Sequence, residues 1–212
     1  MRKKRLFITI EGGDGSGKTT QSLLLKEYFE QKGHSVLLTR EPGGTVVAEA
    51  IRRILLDPKL RPVPLSELFL YEAARAQHVE EFILPALKSG KVVICDRFID
   101  ATVAYQGYGR KLSLPFIQRL NLVASHGLIP ILTIYLDIVP HKGLSKSRRL
   151  NKECYGRNGD RIEGEIIQFH DNVRSGYLGQ AEKYPERIKI VKTQRTSKKT
   201  QMLIRKLTDV IL

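Results

Sequence analysis

A glycine-rich loop directly after the first apolar run constrains this chain more than any other part of its sequence. The eight residues after Glu11 match GxxxxGK[ST] between a predicted strand and a predicted helix. Glycines without a Cβ let successive backbone N–H groups converge on phosphate oxygens, and the helix N-terminus adds partial positive charge. We therefore expect a phosphate-binding loop formed by Gly12, Gly13, Asp14, Gly15, Ser16, Gly17, Lys18, Thr19 and Thr20.

Three side chains in or beside the loop are expected to bind the phosphates of a nucleotide and its metal ion. Lys18 can reach the β- and γ-phosphates of ATP, and the Thr19 hydroxyl can ligate Mg²⁺. Asp96 ends the apolar run 92–95, so its carboxylate emerges at the same sheet edge and can hold the water shell of the ion. We assign the metal to Thr19 and Asp96. The five histidines show no ligand spacing, and none is assigned to a metal.

Apolar, β-branched runs alternate with helical periods along the chain. The runs predict five strands at residues 6–10, 35–39, 92–95, 131–136 and 188–191. Helices are predicted at residues 18–32, 45–56, 66–88, 113–127, 163–183 and 197–210, with Ser66 and Ser113 as N-caps and a kink at Pro85. This alternation predicts an α/β fold, a doubly wound five-stranded parallel sheet flanked by helices, in a single P-loop domain over residues 1–212. Ligands then bind outside the carboxyl ends of the strands.

The net charge of +14 suggests a nucleic-acid partner at first sight. However, the excess lies in residues 2–5, 141–161 and 187–199, which carry +4, +5 and +6. Since the rest of the chain is nearly neutral, we expect no uniformly basic groove and no nucleic-acid partner. The middle stretch differs from the other two because it holds four arginines, the side chain best suited to forked phosphate contacts.

A cytoplasmic location is predicted by what the sequence lacks. Only residues 6–10 form an apolar run after the basic start, which is shorter than the core of a signal peptide, and no run approaches the length that spans a bilayer. Cys95 and Cys154 are far apart without a CxxC spacing, so neither a disulfide framework nor a structural zinc site is indicated. We therefore expect a soluble protein with no membrane partner.

The arginines separate the classes of P-loop protein. A switch GTPase requires DxxG after the third strand and NKxD later, whereas this chain has DRFI at 96–99 and NKEC at 151–154. A kinase with a phosphorylated acceptor needs one phosphate clamp for ATP and another for the acceptor. Seven arginines at strand ends or beside the expected cleft can supply both clamps: Arg40, Arg75, Arg97, Arg148, Arg149, Arg157 and Arg161.

Six motifs, in this order, resemble those of the thymidylate kinase family along nearly the whole chain. They are EGGDGSGKT (11–19), TREPGGT (39–45), AARAQH (73–78), DRF (96–98), AYQG (104–107) and DRIE (160–163). The resemblance implies Mg²⁺-dependent transfer of the γ-phosphoryl group of ATP to dTMP, in a homodimer with a mobile lid over the ATP. The stretch of residues 141–160, basic and glycine-containing, fits that lid.

The resemblance also implies roles for residues of the acceptor site. Arg40 and Arg97 correspond to the clamp on the acceptor phosphate, and Asp14 to the contact with the sugar 3′-hydroxyl. Two guanidiniums would neutralise an attacking phosphate that the γ-phosphate otherwise repels.

The base and sugar contacts fall on two predicted helices. Tyr71 and Arg75 are four residues apart and share a face, so that the ring can stack on thymine while the guanidinium donates to a carbonyl oxygen at its edge. Thr102, Tyr105 and Gln106 also share a face, where the family places a base contact and an aromatic ring against sugar C2′. Glu72 stands where the pattern favours an apolar or aromatic residue.

Two branches of the family differ in which arginine stabilises the negative charge of the transition state. In one branch a P-loop arginine assists transfer, and in the other the lid arginines do so. With Gly15 and Ser16 in its loop, this chain resembles the second branch, which implies a catalytic role among Arg148, Arg149, Arg157 and Arg161. Asp160 and Glu163 are expected at the start of the following helix.

Two alternatives remain open. One is a kinase for another pyrimidine monophosphate or for a deoxynucleoside, although Arg40 and Arg97 argue against an unphosphorylated acceptor. The other is a nucleic-acid-binding P-loop ATPase that uses the basic termini, which predicts hydrolysis stimulated by nucleic acid and a steep salt dependence.

Overall fold

Five parallel strands form the predicted sheet, so the α/β fold class is confirmed. The computed structural model describes residues 6–155 and 159–211. The strands are β1 (Phe7–Gly12), β2 (Val36–Arg40), β3 (Val92–Asp96), β4 (Leu132–Asp137) and β5 (Ile188–Lys192), in the spatial order β2-β3-β1-β4-β5. The inner strands β1, β3 and β4 are buried along almost their whole length, whereas β2 and β5 are edge strands and are partly exposed.

Helices cover both faces of the sheet. They are α1 (Lys18–Gln31), α2 (Val46–Leu56), α3 (Pro64–His78), α4 (Leu84–Lys88), α5 (Ile99–Thr102), α6 (Leu114–Ala124), α7 (Pro140–Tyr155), α8 (Ile167–Lys183) and α9 (Ser197–Asp209). Two π-helical turns, Val79–Ile83 and Val103–Gly109, continue α3 and α5. Within the described residues, none of these helices has the length and apolar character needed to cross a membrane.

The core is divided by the sheet into two layers. On one face, Ile10 and Ile94 of the inner strands pack with Phe29 of α1 and Ile204 of α9. On the other face, Phe7 packs with side chains of α4 and the first π-helical turn, while a separate cluster joins β4 to α8. Side chains alternate between the two faces of a strand, and both faces here are apolar, which explains the uninterrupted apolar runs in the sequence.

Two predicted helix starts are wrong, those at Ser66 and at residue 163. Ser66 is not the N-cap of α3, because the helix begins earlier, at Pro64, whose missing N–H costs nothing in a first turn. The kink expected at Pro85 corresponds to the π-helical turn Val79–Ile83, which ends two residues before this proline. The helix expected from residue 163 begins at Ile167 instead.

Asp160 explains the late start of α8. Its Oδ1 accepts hydrogen bonds from the backbone N–H groups of Ile162 and Glu163, both at 2.9 Å, and this closes a separate turn before the helix. Asp160 and Glu163 therefore precede α8 rather than start it.

The region predicted as a lid is largely helical. Helix α7 spans Pro140–Tyr155 and therefore includes most of residues 141–160. Residues 156–158, with Arg157, lie outside the described residues.

The strand register places the functional motifs at one edge. Ile10 of β1 lies opposite Asp96 of β3, and Arg40 of β2 lies opposite Asp96 from the other side. The residues that follow these three strands therefore meet at the carboxyl edge, where the phosphate loop begins.

Candidate active site

A cavity of about 870 Å³ opens at this edge. It is lined at one end by Lys18 and Thr19 of the phosphate loop and by Asp96. All the residues predicted to bind the acceptor also line it: Asp14, Arg40, Tyr71, Arg75, Arg97, Thr102, Tyr105 and Gln106. The fold therefore brings residues from five parts of the sequence to one cleft large enough for a nucleotide.

The phosphate loop turns through two left-handed glycines. Gly17 (φ 93°) is the N-cap of α1, and Gly15 (φ 70°) lies against α7, where a Cβ would come within 2.0 Å of the Gly143 carbonyl oxygen. Lys18 Nζ donates to the Gly13 carbonyl oxygen at 3.0 Å. Ser16 Oγ is buried with no hydrogen-bond partner in the described part of the chain. The loop thus places the unpaired Ser16 hydroxyl and the Lys18 ammonium at the positive end of α1. Thr20 is exposed in the first turn of α1.

The oxygen atoms beside the loop suit Mg²⁺. Thr19 Oγ1 donates to Asp96 Oδ2 at 3.2 Å, which joins a hydroxyl and a carboxylate at the cavity wall. Within residues 6–155 and 159–211, no three His, Cys, Asp or Glu side chains are grouped so that they could hold a metal ion. Mg²⁺ is usually bound by one or two protein oxygens together with substrate phosphates and water, and the pair at Thr19 fits this pattern.

Arg97 adopts a left-handed backbone conformation (φ 70°) directly after β3. Its N–H donates to the Ile10 carbonyl oxygen at 3.0 Å. The guanidinium donates to Asp14 Oδ1 at 2.8 Å and to the Gly12 carbonyl oxygen at 2.9 Å, and it lies 4.9 Å from the centre of the Tyr105 ring. The turn therefore aims a cation back over the phosphate loop. A left-handed non-glycine residue is costly, so other contacts must stabilise it.

Glu11 provides the second contact that stabilises this turn. Its fully buried carboxylate accepts hydrogen bonds from the Phe98 N–H and from the Tyr177 hydroxyl, both at 2.7 Å. Burial, aided by the nearby charge of Asp100, raises the pKa of Glu11 to about 8. Arg97 is thus flanked by a backbone hydrogen bond on one side and a side-chain hydrogen bond on the other.

Arg40, which is also predicted to bind the acceptor phosphate, is more exposed than Arg97. Its side chain is 53% exposed, and Nη2 donates to Glu49 Oε1 at 2.7 Å. The same Glu49 oxygen accepts from the Gly44 N–H at 3.0 Å. Arg40 therefore lies at the mouth of the cavity and Arg97 lies deeper inside it.

The environment of Arg75 differs from the one expected, in which an N–H group of its guanidinium is free to bind a base. All five of its N–H groups are already hydrogen-bonded: Nε to Glu41, Nη1 to Glu72 and Asn121, and Nη2 to Thr102 and the Phe98 carbonyl oxygen. Thr102 Oγ1 accepts at 2.9 Å and keeps its own proton, which it can donate. Glu72, unexplained by the sequence pattern, is thus a buried counter-ion of Arg75.

The four arginines of the predicted lid lie in different environments. Arg148 and Arg149 are exposed on α7, and Arg148 Nη2 donates to the Glu163 carbonyl oxygen at 3.3 Å. Arg161 is buried, with Nη1 2.6 Å from Glu67 Oε2 and Nε donating to the Leu55 carbonyl oxygen at 2.9 Å. Arg157 lies outside the described residues.

Two buried carboxylates at the site were not predicted from sequence. Glu41 joins Arg75 to His78, and Glu67 accepts hydrogen bonds from side chains of two other segments. Glu67 lies four residues before Tyr71 and eight before Arg75, so helical periodicity already places the three on one face of α3. Glu41 follows Arg40 at the end of β2, where parallel strands deliver their ligand-binding residues.

Comparison with known proteins gives one family. The thymidylate kinase family model matches residues 10–204. The thymidylate kinase of Gloeobacter violaceus is 46% identical over 207 residues, which cover 98% of this chain and 96% of that protein. The thymidylate kinase of Syntrophotalea carbinolica is 50% identical over 186 residues, covering 87% and 86% of the two chains. A crystal structure of thymidylate kinase from Ehrlichia chaffeensis, 35% identical, superposes with a TM-score of 0.78 over 97% of this chain and 98% of the other.

The buried Glu11 predicts a pH dependence of stability. Its pKa in the folded state, about 8, exceeds its value of 4.5 in the unfolded chain. Between these values the folded state holds a proton that the unfolded state has lost, so stability from this group is complete below pH 4.5 and is lost as pH rises towards 8. Glu11→Gln keeps a neutral group of the same shape. Relative to this variant, the wild type should lose at least about 1 kcal/mol of unfolding free energy between pH 5 and pH 8.5, because each unit of pKa shift is worth about 1.4 kcal/mol.

The measurement is urea unfolding of both proteins across that pH range. Glu186→Gln, at a fully exposed side chain, serves as the control and should track the wild type. A wild type that gains stability over Glu11→Gln as pH rises would contradict the burial argument.

Proposed function

The chain belongs to the thymidylate kinase family, and we propose that the cleft at the carboxyl edge of its sheet carries out the reaction of that family. It transfers the γ-phosphoryl group of ATP to the phosphate of dTMP, giving dTDP and ADP. The observation that carries this assignment is one continuous cavity that is lined by Lys18 of the phosphate loop together with Arg40 and Arg97. The family match favours dTMP phosphorylation over both alternatives that the sequence left open.

Phosphoryl transfer requires that two anions approach each other. The acceptor phosphate is already largely ionised near pH 7, so it needs no general base, and the chief barrier is repulsion and misalignment. Arg97 and Arg40 bind that phosphate and neutralise it, while Lys18 and the loop N–H groups hold the phosphates of ATP. In this arrangement Lys18 Nζ exchanges the Gly13 carbonyl oxygen for a phosphate oxygen.

Thr19 and Asp96 would hold Mg²⁺, which, when bound, neutralises charge on the ATP phosphates. Their side chains already lie together at the ATP end of the cavity.

Asp14 connects the two halves of the site. Its Oδ1 pairs with Arg97, while Oδ2 is buried with no partner among the described residues. That carboxylate oxygen can accept a hydrogen bond from the 3′-hydroxyl of the acceptor sugar. Asp14 therefore positions both the sugar and the arginine that binds its phosphate.

The base binds between Tyr71 and the residues of α5 and the following π-helical turn. Tyr71 stacks on the ring, and the Thr102 hydroxyl donates to a carbonyl oxygen of the base while Arg75 donates to Thr102. Arg75 thus acts on the base through Thr102. Gln106 and Tyr105 complete the pocket at the base edge and the sugar.

The lid of residues 141–160 supplies the remaining positive charge. Because Glu67 and the Leu55 carbonyl oxygen hold Arg161, the exposed arginines Arg148 and Arg149 are better placed than Arg161 to reach the transferred group. Closure of α7 over the ATP would bring them there.

We also propose that the enzyme is cytoplasmic and that each chain forms a single P-loop domain. Two chains form a homodimer. Exposed apolar side chains on α3 and α6 support a subunit interface, in particular Phe69 and Phe116, whose rings meet edge to face at 6.4 Å.

Removal of the deeper phosphate-binding arginine should affect dTMP far more than ATP. Arg97→Ala should raise the KM for dTMP and lower kcat, with kcat/KM for dTMP falling on the order of 10²-fold, as when a pre-organised donor is removed. ATP binding should be nearly unchanged, since Lys18 serves that substrate. Steady-state kinetics with each substrate varied would test this, with the exposed Arg53→Ala as control. A variant that lost ATP affinity and kept dTMP affinity would refute the assignment.

One lid arginine should behave as an arginine finger. Single alanine substitutions at Arg148, Arg149, Arg157 and Arg161 should include at least one that lowers kcat on the order of 10³-fold, because the loop from Asp14 to Gly17 carries no cation of its own. Arg161→Ala should also lower the thermal midpoint, since it removes a buried partner of Glu67. Four mild effects on kcat would show that the lid does not supply the charge.

Tyr105 should select deoxyribose over ribose. If its ring packs against C2′, a ribose hydroxyl is buried without a partner, which costs about 1–3 kcal/mol. Tyr105→Ala should therefore lower the ratio of kcat/KM for dTMP to that for its ribose counterpart by at least about tenfold, with an added loss of overall activity from lost packing.

Tyr105→Phe, which keeps the ring, is the matched control for this experiment and should retain the ratio. Equal use of both sugars by the wild type, or an unchanged ratio in Tyr105→Ala, would leave Tyr105 with a packing role only.

A further inference from the structure

The carboxylate of Glu67 lies below the acceptor cavity and contacts one of its lining residues without lining the cavity itself. It is completely buried in α3. Its Oε1 accepts from Gln106 Nε2 at 2.9 Å and from Arg110 Nε at 3.0 Å, and its Oε2 accepts from Arg110 Nη2 at 3.0 Å and Arg161 Nη1 at 2.6 Å. Four N–H groups thus occupy the acceptor positions of this carboxylate.

Glu67 is ionised in this environment. Burial acts to raise its pKa, but the hydrogen bonds from Arg110 and Gln106 and the charges of Arg110 and Arg161 outweigh burial and hold the pKa below its ordinary value. An ionised carboxylate can only accept hydrogen bonds. Any neighbour that faces Glu67 must therefore present a donor.

This requirement decides the orientation of the Gln106 amide. The NH₂ end must face Glu67, so the carbonyl end, Oε1, faces away from it. Gln106 lines the acceptor cavity, and because its Nε2 is committed to Glu67, Oε1 is the amide atom that remains for a ligand in the cavity. The reverse orientation would place Gln106 Oε1 against the carboxylate oxygen Glu67 Oε1 and leave the NH₂ group without its buried acceptor.

We propose that Glu67 is a positioning residue that locks Gln106 with its carbonyl oxygen towards the acceptor base, and so selects bases that carry a hydrogen at N3. Thymine and uracil have an N3–H donor that Oε1 can accept. Cytosine has a lone pair at N3, which Oε1 repels and which only the opposite end of the amide could bind. The inference rests on the proposed function, because it takes a pyrimidine nucleoside monophosphate as the acceptor.

Glu67→Gln tests the lock with little change of shape. The new amide can both donate and accept, so Gln106 can pair with it in either orientation. Glu165→Gln is the matched control, because Glu165 Oε1 lies 2.8 Å from Arg110 Nη2, the same nitrogen that pairs with Glu67. The measurement is kcat/KM for dTMP and for dCMP with the intact enzyme at saturating ATP.

The ratio of kcat/KM for dTMP to that for dCMP should fall at least about tenfold in Glu67→Gln and stay unchanged in Glu165→Gln, because sites built around a hydrogen bond discriminate strongly. A purely structural role would lower both activities and leave the ratio constant. An unchanged ratio in a folded Glu67→Gln protein, or an equal fall in Glu165→Gln, would overturn the proposal.

Gln106→Met makes the test independent of whether Glu67→Gln folds. This variant has no amide to orient, so it too should lose at least about tenfold in the ratio, and adding Glu67→Gln to it should change the ratio no further. An unchanged ratio in Gln106→Met would overturn the proposal. Failure of the proposed function looks different, since the wild type itself would then release no ADP in response to dTMP.

Discussion

The active site depends on how the chain turns immediately after β3. Arg97 occupies a left-handed conformation that a residue with a Cβ normally avoids, and two hydrogen bonds hold it there, one from its own N–H to Ile10 and one from Phe98 to the buried Glu11. Because β1 and β3 are neighbours in register, this turn lies directly beside the phosphate loop. The guanidinium therefore points over the phosphate loop, where the proposed function places the phosphate that accepts the transferred group. The same strand pair that forms the centre of the core thus sets the separation of the two proposed phosphate sites.

Buried charge around the acceptor cavity is compensated locally, and the compensation gives each side chain a single orientation. Arg75 has all of its donors occupied, which makes it a rigid support for Thr102. Glu67 has four donors around it, which makes it a rigid support for Gln106. A buried ion pair contributes little net stability because of the cost of desolvation, but removal of one partner strongly destabilises the fold because it leaves an unpaired buried charge. We infer that these networks serve orientation more than stability.

The strands of the sheet could be predicted because buried parallel strands have nearly uninterrupted apolar sequences. The phosphate loop could be predicted because the motif GxxxxGK[ST] is specific. The predicted acceptor residues share one cavity for the same reason: parallel strands end at one edge. The full set of partners of Arg75 and Glu67 could not be predicted, since they come from separate segments and a sequence shows spacing only within one element. The helical form of α7 was missed because its glycine and basic residues resemble a loop, whereas Gly143 in fact lets the helix lie against the Asp14 carbonyl oxygen of the phosphate loop.

The most direct test of this account is ADP release measured across a panel of nucleoside monophosphates, with and without added nucleic acid. The account predicts the highest kcat/KM for dTMP. For dUMP it predicts a value lower by about fourfold, since one buried methyl group is worth about 0.8 kcal/mol. Release without an acceptor should be negligible and insensitive to nucleic acid. Preference for another monophosphate, or ADP release that requires nucleic acid and no acceptor, would contradict the account.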